Sequence, residues 1–392
     1  MRVRPALMTS LVAVIGVGCS APTSPSPTDT PTMTANPAGS ETLQPAWMSY
    51  TRTFIHAGRV VDPRRGNDTT SEAQSYALLR AVWMNDRTTF DSVWTWTRDH
   101  LWDQSAQRFG WLWSDAAVRL VSRDSASDAD QDIALSLIFA AHRWKDASYS
   151  QWAQRALRSV WQNDVATVNG IPYLVAGNWA AGGSSSGPVL DPSYFAPYAY
   201  RIFARADTAH PWIALVDSSY HVLSACSHAP LRTGSSVDLP PNWCVIDRSS
   251  GGVGSFNAKP DGDDYGYDAF RVMWRVALDQ QWYGSPAARA YLAGRQFLRQ
   301  QWDAHGRLLA AYGHDGTARA TYEDIGVYGG DAGAFLGTLA AAALLSTKLL
   351  ASFTRSGADA YWGQADNYYA QNWAWFGVAL LTGQLTNLAA ER

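Results

Sequence analysis

Ala126-Ser127-Asp128-Ala129-Asp130-Gln131-Asp132-Ile133-Ala134 is the stretch from which the rest of this chain is read. Three carboxylates at alternate positions run into Ile133, Ala134, Leu137, Ile138 and Ala141, which recur with the spacing of a buried helix face. Ser127 followed three residues later by Asp130 has the form of a capping box, which places the acids at a helix N-terminus. On a water-facing helix such acids are explained by capping and by the helix dipole. Beside a long buried helix in a Trp-rich chain they also fit the lining of a pocket.

Working outward, Ser71-Glu72-Ala73-Gln74 repeats the pattern, with Glu72 in the first turn of another helix. Asp263-Asp264-Tyr265-Gly266-Tyr267-Asp268 opens a third, whose apolar stripe is Phe270, Met273, Trp274 and Ala277. Asp268, Arg271 and Arg275 share another face of it, which by spacing alone reads as a solvated ion-pair stripe. Leu43 to Phe54, Phe90 to Leu101, Ser148 to Trp161, Pro286 to Trp302, Asp331 to Leu350 and Asp366 to Leu381 also read as helices. Strand-like alternation is scarce, so an all-α domain is expected rather than a βα alternation.

Composition narrows the function. A net charge of −3 argues against nucleic acid, whose phosphates need a concentrated basic surface. Only 17% of residues are charged, against 19 Trp and 18 Tyr. Most of these rings belong in a core, but Trp and Tyr also stack on the apolar faces of sugar rings. Histidines are scattered and no cysteine pair has metal-ligand spacing, so neither metal nor cofactor is expected.

The N-terminus reads as an export signal. Basic Met1-Arg2-Val3-Arg4 precedes an apolar run from Leu7 to Gly18 that is too short for a mature membrane span. Cys19 after Gly16-Val17-Gly18 is similar to a lipobox, with Gly16 where Leu is usual. Residues 1–19 are thus expected to be a signal peptide ending at a lipidated Cys19, the sole membrane attachment. Residues 20–42, rich in Pro, Thr and Ser, are expected to be a tether. Residues 43–392 are then expected to form a single domain, outside the membrane and monomeric. Cys226 and Cys244 remain as an even pair in an oxidising compartment, which predicts a disulfide.

Ala-Ser-Asp-Ala-Asp-x-x-Ile-Ala-x-Ser-Leu-x-x-Ala-x-x-x-Trp, from Ala126 to Trp144, resembles the signature of glycoside hydrolase family 8. The resemblance extends over roughly residues 45–380. Ser71-Glu72-Ala73-Gln74-Ser75-Tyr76 is similar to the family's Ser-Glu-Gly-Gln-x-Tyr, with Ala73 for Gly, and Asp191-Pro192-Ser193-Tyr194-Phe195-Ala196-Pro197 to its Asn-Pro-Ser-Tyr-Phe-x-Pro, with Asp191 for Asn. Phe109-Gly110-Trp111-Leu112-Trp113 and Tyr267-Asp268-Ala269-Phe270-Arg271 resemble further family segments.

The resemblance implies an (α/α)6 toroid, six inner and six outer helices, with a cleft across one end. It implies Glu72 as general acid, Asp268 as general base and Asp128 as the residue holding a distorted sugar between them. Trp113, Tyr194, Tyr267 and Arg271 would contact substrate. The implied reaction is endo-cleavage of a β-1,4-glucan of cellulose type with inversion, chitosan and xylan being the alternatives. A polysaccharide-binding lipoprotein without turnover, or a lyase or exo-acting hydrolase on the same toroid, are the other readings. Because a helix N-terminus lowers a carboxyl pKa, Glu72 can serve as acid only if burial and Asp128 outweigh the dipole.

Overall fold

The computed structural model describes residues 37–182 and 187–390. The expected signal, Cys19 and nearly all of the tether lie outside them. Thirteen α-helices run through the described residues. The first seven are α1 (Pro37–Phe54), α2 (Ser71–Trp83), α3 (Arg87–His100), α4 (Ser127–Trp144), α5 (Ala147–Asn163), α6 (Pro197–Ala206) and α7 (Trp212–His228). Then come α8 (Arg271–Tyr283), α9 (Pro286–Ala293), α10 (Gln296–His305), α11 (Ile325–Asp331), α12 (Leu339–Leu344) and α13 (Tyr368–Leu381). Strands are short, four residues at most, and form two- and three-stranded antiparallel ribbons in the connections.

The helices pack as two rings. α2, α4, α6, α8, α11 and α13 each touch the next, and α13 returns to α2. Around them, α1 packs on α13, α3 on α2, α5 on α4, α7 on α6 and α9 on α8. Sequence chemistry separates the layers. α2 is buried at every position but Glu72, whereas α3 buries only Phe90, Val93, Trp94 and Thr97. The centre is aromatic: Trp274 meets Phe376 at 5.1 Å and Trp373 at 5.7 Å, and Tyr76 meets Trp373 at 5.7 Å. Most of the Trp surplus is therefore core, as expected of large apolar rings.

Ring closure depends on backbone contact. A Cβ on Gly329 of α11 would stand 2.0 Å from the Trp373 carbonyl oxygen of α13, and one on Gly377 would stand 2.5 Å from the Gly329 Cα. Only glycines let these two helices approach so closely.

Several local expectations are corrected. α1 begins at Pro37 rather than Leu43, because Gly39 packs against Thr382 just beyond α13. Thr70, not Ser71, caps α2 by accepting from Ala73 N at 3.1 Å, while Gln74 is buried and binds Val60 N and Thr97. Ser127 donates to the Val175 carbonyl and does not cap α4. Gln74 and Ser127 bond across the fold instead, and Ser71 Oγ and the Asp130 carboxylate are buried with no hydrogen-bond partner, so neither box forms. The expected helix from Pro286 to Trp302 breaks at Gly294 into α9 and α10. That from Asp331 to Leu350 is a 3-10 turn, α12 and a π-helical turn.

Cys226 and Cys244 are free, not bridged. Both are fully buried, and a hydrogen bond to Cys226 together with burial pushes the Cys244 thiol well up. A buried, raised thiol holds little of the thiolate that oxidation requires.

Candidate active site

The N-termini of the six inner helices come to one end of the ring, tied there by side chains. Tyr368, at the start of α13, donates to Glu72 Oε1 at 2.7 Å in the first turn of α2. Next to it, Tyr369 donates to the Tyr267 carbonyl at 2.6 Å, and Tyr267 donates to Asp324, the cap of α11, at 3.1 Å. Gln131 of α4 donates to the Tyr194 carbonyl just before α6. Inner helices of one polarity thus bring first-turn side chains from segments far apart in sequence to a common face.

Arg271 is the centre of this face. The residue is 1% exposed. Its Nη1 donates to Glu72 Oε2 at 3.1 Å and Asp128 Oδ2 at 3.0 Å, and its Nη2 donates to Asp268 Oδ1 at 3.0 Å. Asp191 Oδ2 stands 3.6 Å from Nη2. The Tyr194 ring lies under the guanidinium, 5.1 Å from its centroid. Of the stripe of Asp268, Arg271 and Arg275, the two arginines are therefore not solvated. Arg275 is buried as well and forms a two-pronged pair with Asp132, at 2.8 and 3.0 Å. A planar fork with five donors suits such multiple carboxylate contact better than a lysine would.

The acids differ in setting. Glu72, its side chain 21% exposed, has its pKa raised to about 7. Burial is the main cause, opposed by Arg271 and reinforced by the negative charge of Asp128. The burial that had to outweigh the helix dipole therefore does so. Asp128 is buried and also raised, by burial first, against the pull of Arg271 and Arg275. Its Oδ1 accepts from Ala129 N at 2.8 Å, which fixes the carboxylate plane. Asp268, with a side chain 37% exposed, lies in the turn before α8 and takes a second hydrogen bond from Trp243 Nε1 at 3.1 Å.

Of the sequence-predicted residues, Glu72, Asp128, Asp268, Arg271 and Tyr194 come together in this cluster, and Tyr267 adjoins it. Trp113 lies in the ribbon that leads into α2. It pairs across from Thr69 and packs edge-on to Trp96 at 5.5 Å and His100 at 5.0 Å. Sequence reading missed Trp243, Trp179 and the two tyrosines of α13. Trp243 leaves a Pro-rich loop with no periodicity to flag it, and meets the exposed Trp179 at 6.1 Å and Tyr194 at 6.3 Å. Tyr368 and Tyr369 carried a usable signal, two adjacent tyrosines opening an apolar helix behind an Asn cap. A cavity of about 690 Å3 opens beside the acids rather than onto them, with Tyr267, Tyr322, Asp324, Asn367 and Tyr369 in its wall.

Six inner helices in a closed ring, outer helices packed around them and carboxylates gathered on one arginine at the inner N-termini define an (α/α)6 toroid protein with an acidic cleft. The chain belongs to glycosyl hydrolases family 8, whose model matches residues 30–378. It is 30% identical over 236 residues to Endoglucanase C of Ruminiclostridium cellulolyticum, covering 59% of this chain and 46% of that one. It is 34% identical over 246 residues to an endoglucanase of Xanthomonas axonopodis pv. citri, covering 60% of each. The chain thus spans about half the length of some curated relatives it matches. The crystal structure of endoglucanase Cel10, a family 8 glycosyl hydrolase from Klebsiella pneumoniae, shares the fold with a TM-score of 0.69 at 24% identity, over 86% of this chain and 99% of that one.

Proposed function

We propose that the chain is an endo-acting glycoside hydrolase that cleaves β-1,4-glucan with inversion, Glu72 acting as general acid and Asp268 as general base. The observation that carries this reading is the single Arg271 guanidinium joined to Glu72, Asp128 and Asp268. Glycosidic cleavage needs one carboxylic acid to protonate the leaving oxygen and one carboxylate to activate water from the opposite side. A Glu72 that titrates at about 7 still carries its proton in mildly acidic solution, as the first role requires. Asp268, accessible and held by Arg271 and Trp243, suits the second.

Standing on different nitrogens of one guanidinium, the two carboxyl groups are spaced by that group and a hydrogen bond on each side. Inversion asks for roughly 6.5–9.5 Å, which leaves room for water, whereas direct attack asks for about 5–5.5 Å. In the step itself, Asp268 takes a proton from a water molecule as the water oxygen bonds to C1. The C1–oxygen bond breaks, and the Glu72 proton passes to the departing oxygen. Asp128, fixed by Arg271 and Ala129 N, would accept from a hydroxyl of the distorted sugar. Trp113, Tyr194 and Tyr267 would supply ring contacts, and the cavity beside Tyr267 would take further units of the chain.

The test is reducing-sugar release from soluble cellulose, chitosan and xylan, with the anomer of the first product followed by proton NMR. Release from the cellulose and an initial product of inverted configuration are expected. Binding to all three without release would make this a polysaccharide-binding protein instead, and release from another polymer alone would reassign the substrate. We also propose that Cys19 is lipidated and holds the enzyme on the outer face of the membrane. The protein should then partition into detergent, and Cys19→Ser should abolish that.

A further inference from the structure

Arg271 carries one positive charge and faces four acids. Glu72, Asp128 and Asp268 each lie at 3.0 or 3.1 Å from it. Asp191 is the fourth, at 3.6 Å, beyond hydrogen-bond reach. The nearby Arg275 is paired with Asp132 and pulls on Asp128, and among the described residues it forms no ion pair with Asp191. Four like charges around one guanidinium cannot all persist without solvent.

Asp191 is the acid least suited to carry its charge. It is buried in the connection ahead of α6, and its Oδ1 accepts from Ser193 N at 2.8 Å and Ser193 Oγ at 2.6 Å. Its Oδ2 is equally buried and has no hydrogen-bond partner. An ionised oxygen so placed would be a buried charge with no hydrogen bond, sharing an already crowded guanidinium 3.6 Å away, which is costly, while a protonated one is a small polar group. The groups that face it are Arg271 and Asp268 from α8 and its preceding turn, Tyr194 from its own turn, and the Cys244 thiol from the adjoining strand. Arg271 and the two Ser193 donors favour the anion, and the rest oppose it. Burial first, then the charge of Asp268, pushes the Asp191 carboxyl well above the usual range.

We propose that Asp191 is a positioning residue that works as an un-ionised carboxyl, bracing Arg271 without drawing on its charge. The guanidinium is thereby left to Glu72, Asp128 and Asp268. This deepens the proposed reading of the site, since the charge preserved is the one that holds the assigned acid and base.

Two variants and one spectrum test it. Asp191→Ala should lower kcat by roughly tenfold to a hundredfold with KM little changed, because Arg271 loses a wall and the acids shift. Asp191→Asn, whose amide is neutral and of the same shape, should restore most of that kcat and leave the pH profile in place. In infrared difference spectra at neutral pH, the wild type should show a protonated-carboxyl carbonyl band that Asp191→Asn lacks. The proposal is overturned if Asp191→Asn fails to fold, if it loses as much kcat as Asp191→Ala, or if no such band disappears. The infrared arm needs no turnover, so it stands or falls separately from the assignment of acid and base.

Discussion

Glu72 and Asp268 meet the same arginine, yet their surroundings equip them for different work. Glu72 is mostly buried, beside Asp128 and under Tyr368, and its carboxyl is pushed up to about 7. Asp268 reaches solvent and is oriented by two donors. Glu72→Gln and Asp268→Asn should each cut kcat by about 10²–10⁴-fold with little loss of fold, since each removes the proton-transfer role proposed for it and almost no volume. Circular dichroism and glucan hydrolysis measured together check this. A near-normal rate for Asp268→Asn would move the base to another residue. The wild-type rate should also fall as pH rises through about 7, because the acid must hold its proton at the start of the step. An alkaline limb that begins far above neutrality would show that Glu72 is not the acid.

At the scale of elements, the start of α4 and the end of α5 hold two more buried acids. Asp130, in the first turn of α4, has neither carboxylate oxygen hydrogen-bonded, and burial followed by the charge of Asp164 pushes it well up. Asp164, just past α5, accepts from Ser125 Oγ at 2.5 Å and is raised by burial to about 7. An acid raised on folding favours the native state when protonated. Its stabilising effect is full below the unfolded value near 3.8 and is lost as pH rises through the folded value. Unfolding free energy should therefore decline between about pH 4 and pH 7, and Asp164→Asn should flatten that decline. Denaturant titrations of both proteins across this range measure it; equal slopes would mean that Asp164 is already ionised in the native state.

The whole molecule depends on closing the inner ring where α11 crosses α13. Gly329 leaves no space there for a methyl group, since the added atom would stand 2.0 Å from a backbone oxygen of α13. Backbone cannot rotate aside as a side chain can, so Gly329→Ala should cost roughly 1–3 kcal/mol or more. The same displacement should move Tyr368, which α13 delivers to Glu72. Thermal melting and kcat should thus fall together in this variant although the substitution lies outside the acid cluster. Unchanged melting would mean that the ring absorbs the methyl group by a slide of α13.

Sequence alone determined that this is a helical protein and where the acids of the cluster stand along the chain. Apolar spacing marked α2, α4, α8 and α13, and short motifs placed Glu72 and Asp128 in first turns and Asp268 just ahead of one. Those are local properties, carried by residues a few positions apart. Tertiary structure decided what each polar group meets. By spacing, Arg271 and Arg275 were a surface stripe; in the ring they are buried between helices whose acids come from 143 and 199 positions away. Ser71, Gln74 and Ser127 had the form of caps, but Gln74 and Ser127 bond across the fold and Ser71 Oγ is buried without a partner. Two cysteines that looked like a bridge are a buried thiol pair. Periodicity says which face of a helix is apolar, and it cannot say which other faces will close over it, so the contacts that distinguish a solvated ion pair from the hub of a cleft exist only once the ring is complete.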